Sequence, residues 1–204
     1  MGLTGFVNRV ARTLRALNYD GHHGRLLLRS CLLLLAIAAL GEPARLLLRY
    51  DRAQLERAEY WRLLSAHLVH LDLRHALLNS VGLALVWALF ARDYSVRQWL
   101  AVTLASAAAI DAGLWFAGST VLWYVGSSGV LHGIMAAGTL AYLRRGEGVG
   151  WILAAALTAK LIYEQSVGAL PFSGSDPVVV DAHLYGVLGG AAAAAFLRPQ
   201  PVSL

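Results

Sequence analysis

The interpretation of this chain depends on one run of residues, Gly126-Ser127-Ser128-Gly129-Val130-Leu131-His132-Gly133. It places Ser128 between glycines, at the start of an apolar segment that continues to Leu143. If that segment is a helix, the Ser128 hydroxyl lies at its N-terminus, where unpaired backbone N–H groups and the helix dipole stabilise negative charge. A serine that attacks a carbonyl group needs such an environment. The run therefore predicts a nucleophile, provided that the chain also supplies a base and further oxyanion donors.

The composition indicates a membrane protein. Of the 204 residues, 58% are hydrophobic and 14% are charged, whereas a soluble domain carries about a quarter charged residues. The mean hydropathy is +0.57. A single cysteine, Cys31, excludes an intramolecular disulfide framework and a cysteine metal cluster. The net charge of +5 favours basic cytoplasmic flanks over nucleic-acid binding, so no nucleic-acid partner is expected.

Six apolar stretches predict an all-α, polytopic membrane protein with six transmembrane helices. Several stretches are shorter than the roughly 20 residues that cross a bilayer, so their flanks must contribute. The first stretch also resembles a signal peptide or an interfacial helix, and both alternatives stay open. We predict a short cytoplasmic segment at 1–25, a six-helix domain at 26–198 and a short tail at 199–204. The six stretches are 26–40, 75–90, 96–116, 128–143, 149–167 and 183–197.

The basic residues predict the orientation. With six spans, the N-terminus, the Arg92/Arg97 turn, Arg144-Arg145 and Arg198 share one side, which the positive-inside rule assigns to the cytoplasm. The loops after the third and fifth spans contain no Lys or Arg, in agreement. The arginine-rich first loop, 42–74, disagrees, and we interpret it as an amphipathic segment lying on the headgroups.

Ser128 and His183 both begin spans that enter from the non-cytoplasmic side. They are therefore at similar depth, although 55 residues separate them. A neutral imidazole within hydrogen-bond reach takes the serine proton and returns it to the leaving amine. A helix-capping serine and an interfacial histidine are the structural alternative for each residue alone. Their common depth favours a catalytic pair.

The start of the second span carries His70, His75 and Asn79. His75 and Asn79 are four residues apart, so they share a helical face and can both donate to an oxyanion. Metal binding by His67, His70 and His75 is a weaker alternative, because no H-E-x-x-H pattern is present. We therefore expect neither a metal nor another cofactor. Helix–helix hydrogen bonds are the remaining structural alternative.

Small residues predict how the fourth and sixth spans pack. Gly129 and Gly133 match Gly186 and Gly190 in a small-x-x-x-small spacing that lets two backbones approach closely. That packing would bring Ser128 to His183, although it would equally suit helix packing without catalysis. In the fifth span Lys160 and Glu164 are one turn apart, which favours an ion pair, with a catalytic role for Glu164 or Asp111 as the alternative.

The ordered set of motifs resembles the rhomboid intramembrane serine proteases. Gly126-Ser127-Ser128-Gly129 resembles their G-x-S-G motif, and Ala182-His183-x-x-Gly186-x-x-x-Gly190 their A-H-x-x-G-x-x-x-G motif. His75-x-x-x-Asn79 is similar to the family's oxyanion pair, and Trp61-Arg62 to its first-loop W-R pair. The resemblance implies that Ser128 is the nucleophile and His183 the base. It also implies an oxyanion site made by His75, Asn79 and the Ser128 backbone N–H.

One position departs from many rhomboids, which have a tyrosine four residues after the nucleophile, where this chain has His132. The run from Ser128 to Gly133, with Lys160 and Glu164-Gln165, resembles the rhombosortase branch. That resemblance implies a multi-pass protein of the bacterial inner membrane with a site open to the periplasm. It also implies partners: exported proteins with a Gly-Gly C-terminal sorting tail, made of a glycine-rich motif, a transmembrane helix and a basic end.

Two other classes of function remain open. A catalytically inactive rhomboid-like protein would bind transmembrane helices without cleaving them. A small transporter or metal-binding protein would use the histidines and Asp111 as a polar path through the bilayer.

Overall fold

A computed structural model describes residues 16–19, 23–118, 120–169 and 178–200. These residues form nine helices and one pair of two-residue strands. Strand β1, Tyr50–Asp51, pairs antiparallel with β2, Trp123–Tyr124. The helices are α1 (His23–Ala39), α2 (Gly41–Leu48), α3 (Arg52–Leu55), α4 (Arg62–Ser65), α5 (Leu73–Phe90), α6 (Val96–Phe116), α7 (Ser128–Arg144), α8 (Gly148–Val167) and α9 (Val180–Phe196).

The long helices correspond to the six predicted apolar stretches, with ends that differ by a few residues. An all-helical membrane bundle is therefore the architecture, although the sequence did not indicate the small β1–β2 pair. Within the described residues, α5 and α6 are long and apolar enough to cross a bilayer by themselves. The pair α1 and α2 would add a third span, but its helices are bent by 105°. Helix α9, with 17 residues, is shorter than a full span. The count of six spans stays a prediction.

The first loop, which we expected to lie on the headgroups as an amphipathic segment, contains a buried arginine. Arg62 at the start of α4 is buried and donates through Nη1 to the carbonyl oxygens of Leu46 and Arg49, at 2.9 and 3.0 Å. Its Nε donates to Glu59 at 2.7 Å. A guanidinium offers five N–H donors in a fixed fork, which suits it to holding a folded loop together. The neighbouring Trp61 stays 51% exposed, as a residue at a membrane interface would be.

Glycines bring α7 and α9 into backbone contact. A Cβ on Gly186 would overlap the carbonyl oxygen of Gly129, and a Cβ on Gly190 would overlap that of Gly133. The two contacts follow the same direction along both helices, so α7 and α9 run parallel and begin at the same end of the bundle. Small residues allow such an approach, and dispersion and weak C–H hydrogen bonds then stabilise it. The helix starts that carry Ser128 and His183 are thereby placed side by side.

Polar contacts join the other ends of these helices. Arg144 at the end of α7 donates to the carbonyl oxygens of Ala194, Ala195 and Leu197, at 2.6 to 2.8 Å. Ala194 and Ala195 belong to the last turn of α9 and Leu197 is its C-cap, in a region where helix carbonyls lack their usual partner four residues on. Arg145 forms an ion pair with Asp93, in the turn between α5 and α6, at 2.9 Å. The basic residues after α7 therefore lie at the end of the bundle opposite Ser128.

Some predicted segments lie largely outside the described residues. Of the N-terminal segment 1–25, residues 1–15 and 20–22 are not described, and of the tail 199–204, residues 201–204 are not. The glycine-rich loop 168–181, whose sequence makes it a candidate cap over the site, is described only at 168–169 and 178–181. The three-part division of the chain at residues 25 and 198 stays a prediction.

The glycine contact predicts a specific sensitivity. Gly190→Ala should lower the stability of the folded protein by about 1–3 kcal/mol, because overpacking forces two backbones apart. Thermal unfolding in detergent micelles measures the effect. Gly148→Ala is the matched control, since nothing lies within 4 Å of a Cβ at that position. Equal unfolding temperatures for the two variants would contradict the close approach of α7 and α9.

Candidate active site

Ser128 and His183 are in hydrogen-bond contact. Ser128 is the first residue of α7 and His183 lies in the first turn of α9. The Oγ of Ser128 is 3.0 Å from Nε2 of His183. The imidazole is 5% exposed, so water competes weakly for that nitrogen. The arrangement is that of a hydroxyl donating to a neutral imidazole, which is the resting geometry of a serine nucleophile and its base.

The second nitrogen of His183 contacts a carboxylate. Nδ1 is 2.9 Å from Oε2 of Glu164, a residue of α8 that is 3% exposed. An ionised carboxylate only accepts hydrogen bonds, so Nδ1 carries the proton and the lone pair of Nε2 faces Ser128. The other oxygen, Oε1, accepts from Nζ of Lys160 at 2.6 Å. The Lys160–Glu164 pair was expected from the sequence. A catalytic role for Glu164, and so a contact with His183, was only a minor alternative at the level of sequence. The signal for it was an ionisable residue in an apolar helix.

His132 packs against the face of the His183 ring. The two rings are stacked, with centroids 4.1 Å apart and planes 18° from parallel. Nδ1 of His132 donates to the carbonyl oxygen of Ser128 at 2.7 Å. Ser128 and His132 are one turn apart on α7, so this bond between them fixes the His132 ring beneath His183. His132 thus limits how far the imidazole of His183 can tilt.

A cavity opens beside the Ser128 hydroxyl. Its volume is about 660 Å³, and its lining includes Ser128, His183, Lys160 and the predicted oxyanion residues His75 and Asn79. Asn79 is buried on α5 and uses one N–H of its amide to donate to the His75 carbonyl oxygen at 3.1 Å. The second N–H of that amide is left for another acceptor. The structure therefore brings both predicted donors to the same cavity as the serine.

The N-terminus of α7 supplies further donors. Its N-cap residue, Ser127, makes no side-chain hydrogen bond to the helix. The amides of the first turn, including that of Ser128, thus face the end of the helix without a side-chain acceptor from the N-cap. With the helix dipole, these amides favour an anion next to the Ser128 Oγ.

The loop before α7 is held by three hydrogen bonds. Gly126 has a φ of +116°, and a Cβ there would come within 3.1 Å of the His75 ring. Its N–H donates to the carbonyl oxygen of Ala66 at 2.9 Å, and its carbonyl accepts from the Tyr124 hydroxyl at 2.7 Å. Nε2 of His70 is 3.3 Å from Oγ of Ser127. These contacts fix the entry to α7 against the loop that precedes α5.

Three residues that the sequence analysis singled out lie away from the site around Ser128 and His183. Trp61 and Arg62 are in the first loop, where Arg62 binds backbone carbonyls rather than the site. Asp111 of α6 pairs with Nε2 of the buried His67 at 3.3 Å. Neither member of that pair lines the cavity beside Ser128. A catalytic role for Asp111 is therefore not supported by its position.

The described residues contain one group with potential metal ligands: His132, Glu164 and His183, whose ligand atoms lie within 4.8 Å of one another. It differs from the predicted alternative of His67, His70 and His75. The stacked imidazoles have nearly parallel planes, and a nitrogen lone pair lies in the plane of its ring. Their lone pairs therefore do not converge on one ion. The hydrogen bonds to Ser128 and Glu164 account for the cluster instead.

Comparison with known families decides the classification. A family model described as Rhomboid domain matches residues 57–200, which is well over half of the chain. The chain belongs to the rhomboid family. Comparisons with curated proteins and with solved structures gave no match. The rhomboid family is one of membrane-embedded serine proteases, and the matched range of this rhomboid runs from the first loop to the end of α9. It includes every predicted site residue.

The environment of His70 in this rhomboid predicts a pH effect on stability. His70 lies before α5, and burial, reinforced by the neighbouring His75, lowers its pKa from 6.5 to about 4. The unfolded chain therefore binds a proton first as the pH falls, so stability is lost between these two values. His70→Gln should show a smaller loss of unfolding temperature than the wild type over that interval. Parallel curves for the two proteins would contradict a buried, neutral His70.

Proposed function

We propose that this rhomboid is an intramembrane serine endopeptidase with Ser128 as nucleophile and His183 as general base. The observation that carries the proposal is the 3.0 Å contact between Ser128 Oγ and His183 Nε2, at the wall of a cavity that also contains oxyanion donors. The match to the Rhomboid domain supports the same class of enzyme. A helix cap or a packing histidine alone would not need these groups to converge.

The reaction follows from the positions of the groups. Ser128 Oγ attacks the carbonyl carbon of the scissile bond while its proton passes to Nε2 of His183. The oxyanion is stabilised by the amides at the start of α7, Asn79 and His75. His183 then gives the proton to the leaving amine, and the acyl-enzyme forms on Ser128. A water that enters the cavity then attacks the ester carbonyl and gives its proton to His183. The bond to Ser128 Oγ breaks, His183 returns the proton to that oxygen, and the new carboxyl terminus leaves.

The substrate class is the sorting tail of the rhombosortase branch. The supporting residues are the run from Ser128 to Gly133 together with Lys160 and Glu164 on α8. Each glycine disfavours a helix by about 1 kcal/mol relative to alanine, so a Gly-Gly junction before an apolar helix unwinds easily. An unwound peptide bond exposes its carbonyl to a serine that lies at the end of a helix. Apolar cavity residues such as Leu78, Leu85 and Val86 of α5 suit the adjoining helix of the tail.

The charge distribution supports a periplasmic site in a bacterial inner membrane. Arg144 ends α7, and Arg145 and Arg198 follow the ends of α7 and α9, on the side of the bundle opposite Ser128. Under the positive-inside rule these ends face the cytoplasm. With six spans, both termini are then cytoplasmic, and the cavity opens toward the periplasm, where exported proteins present their tails.

Replacing the nucleophile tests the proposal directly. Ser128→Ala should abolish cleavage of a reporter that carries a Gly-Gly sorting tail, because no other hydroxyl contacts His183 in the described part of the chain. Immunoblotting of the reporter in cells that express equal amounts of each variant measures cleavage. Ser127→Ala is the matched control and should retain most of the activity. Unchanged cleavage by Ser128→Ala would refute the enzyme. Absent cleavage by wild type, with reporter still bound, would favour an inactive helix-binding protein.

Asn79→Ala tests the oxyanion site. The carbonyl oxygen becomes negative only on the reaction path, so losing one donor should lower kcat by about 10²–10³-fold and change KM little. Steady-state cleavage of a purified tail peptide in detergent gives both constants. A rise in KM with an unchanged kcat would place Asn79 in substrate binding instead.

A further inference from the structure

Glu164 occupies the side of His183 that faces away from the nucleophile. Its Oε2 lies 2.9 Å from Nδ1 of His183, while Nε2 of the same ring lies 3.0 Å from Ser128 Oγ. The three side chains come from α7, α8 and α9, so three separate helices are needed to align them. A dyad does not need the third group.

We infer that Glu164 is the positioning residue of His183, so that the site works as a Ser128–His183–Glu164 chain rather than a dyad. The inference rests on the proposed function. The carboxylate holds the proton on Nδ1, which leaves the Nε2 lone pair directed at the hydroxyl. When Nε2 takes the serine proton, the ring becomes a cation. The carboxylate at Nδ1 then stabilises that cation between two side chains that are only 6% and 3% exposed.

A purely structural ion pair with Lys160 accounts less well for the position of Glu164. Lys160 lines the cavity, and its side chain is 28% exposed. The Glu164 side chain is 3% exposed. A carboxylate that served only Lys160 would be less costly if it shared the exposure of its partner. Glu164 is instead buried against His183, with Lys160 on its other oxygen.

Among the residues that the structure describes, Glu164 is the anion in contact with the His183 ring. From α7 come Ser128 and the stacked ring of His132, and from α8 come Glu164 and, beyond it, Lys160. On α6, Asp111 is engaged with His67. The Glu164 carboxylate thus stabilises the protonated state of His183, and the nearby Lys160 ammonium group opposes it.

The role of Glu164 can be tested without knowing the substrate, by the reaction of Ser128 with a fluorophosphonate. A fluorophosphonate reacts when Ser128 Oγ bonds to phosphorus, fluoride leaves and the hydroxyl proton passes to His183 Nε2. The measured quantities are the maximal labelling rate, the inhibitor concentration for half that rate, and the pH at which the rate is half its plateau. Intact mass spectrometry of the full-length protein in detergent gives all three.

Glu164→Gln should lower the maximal rate at least tenfold and leave the half-saturating concentration unchanged, since Glu164 does not touch the reagent. The half-plateau pH should fall, because an anion no longer favours the protonated ring. Lys160→Met should move that pH upward, because it removes a cation. Opposite shifts are not expected from loss of structure. Glu164→Asp should recover part of the rate.

Two further variants keep the test decisive if Glu164→Gln folds poorly. Lys160→Met/Glu164→Gln removes both charges of the pair, so neither is left without its partner and the protein should fold. It should nevertheless label as slowly as Glu164→Gln. Asp111→Asn is the matched control, because it makes the same change in the other buried histidine–carboxylate pair. Its half-plateau pH should equal that of the wild type.

The outcomes distinguish this inference from the proposed function. Absence of labelling at Ser128 in the wild type would refute both. Labelling of the wild type with recovery of the full rate in the double variant would assign Glu164 to Lys160 alone and overturn this inference only. Labelling that is lost on treatment with EDTA and restored by zinc would also overturn it, because His132, Glu164 and His183 would then be metal ligands.

Discussion

The close approach of α7 and α9 is the constraint on which the site depends. Gly129 and Gly133 face Gly186 and Gly190 at positions where any Cβ would overlap a carbonyl oxygen. A bilayer offers little hydrophobic force to hold two helices together, so close packing must supply the energy. The parallel contact fixes the relative depth of both helix starts. Without this contact between the helices, Ser128 and His183 would not be held within hydrogen-bond distance.

Burying polar groups in such a bundle is costly unless they satisfy one another. The site does this through a continuous series of contacts, in which Ser128 bonds His183, His183 bonds Glu164, and Glu164 bonds Lys160. Lys160 reaches the cavity, where its charge can be hydrated. The series therefore runs from a nucleophile to a solvated cation. The same contacts that make the polar groups tolerable also orient the base toward the hydroxyl.

Much of the fold could be predicted, because the six apolar runs coincide with the six long helices to within a few residues. The glycine spacing likewise predicted which helices pack closely. The sequence could not reveal that Glu164 reaches His183, since 19 residues separate them and the rotation of α8 is set by packing. The sequence also could not reveal that Arg62 is buried in the first loop, because a buried arginine has no periodic signature. His132 was noticed as a departure, but its stacking depends on the position of another helix.

Alkylation by a peptidyl chloromethyl ketone ending in glycine tests the central claim most directly. Such a reagent binds with its ketone on the serine, and the histidine nitrogen then displaces chloride, so it reacts only when both groups meet at one substrate. Peptide mapping by mass spectrometry should find the adduct on His183, and Ser128→Ala should abolish it. Alkylation spread over His70, His75 and His132, or undiminished in Ser128→Ala, would contradict a serine and histidine that α7 and α9 bring together.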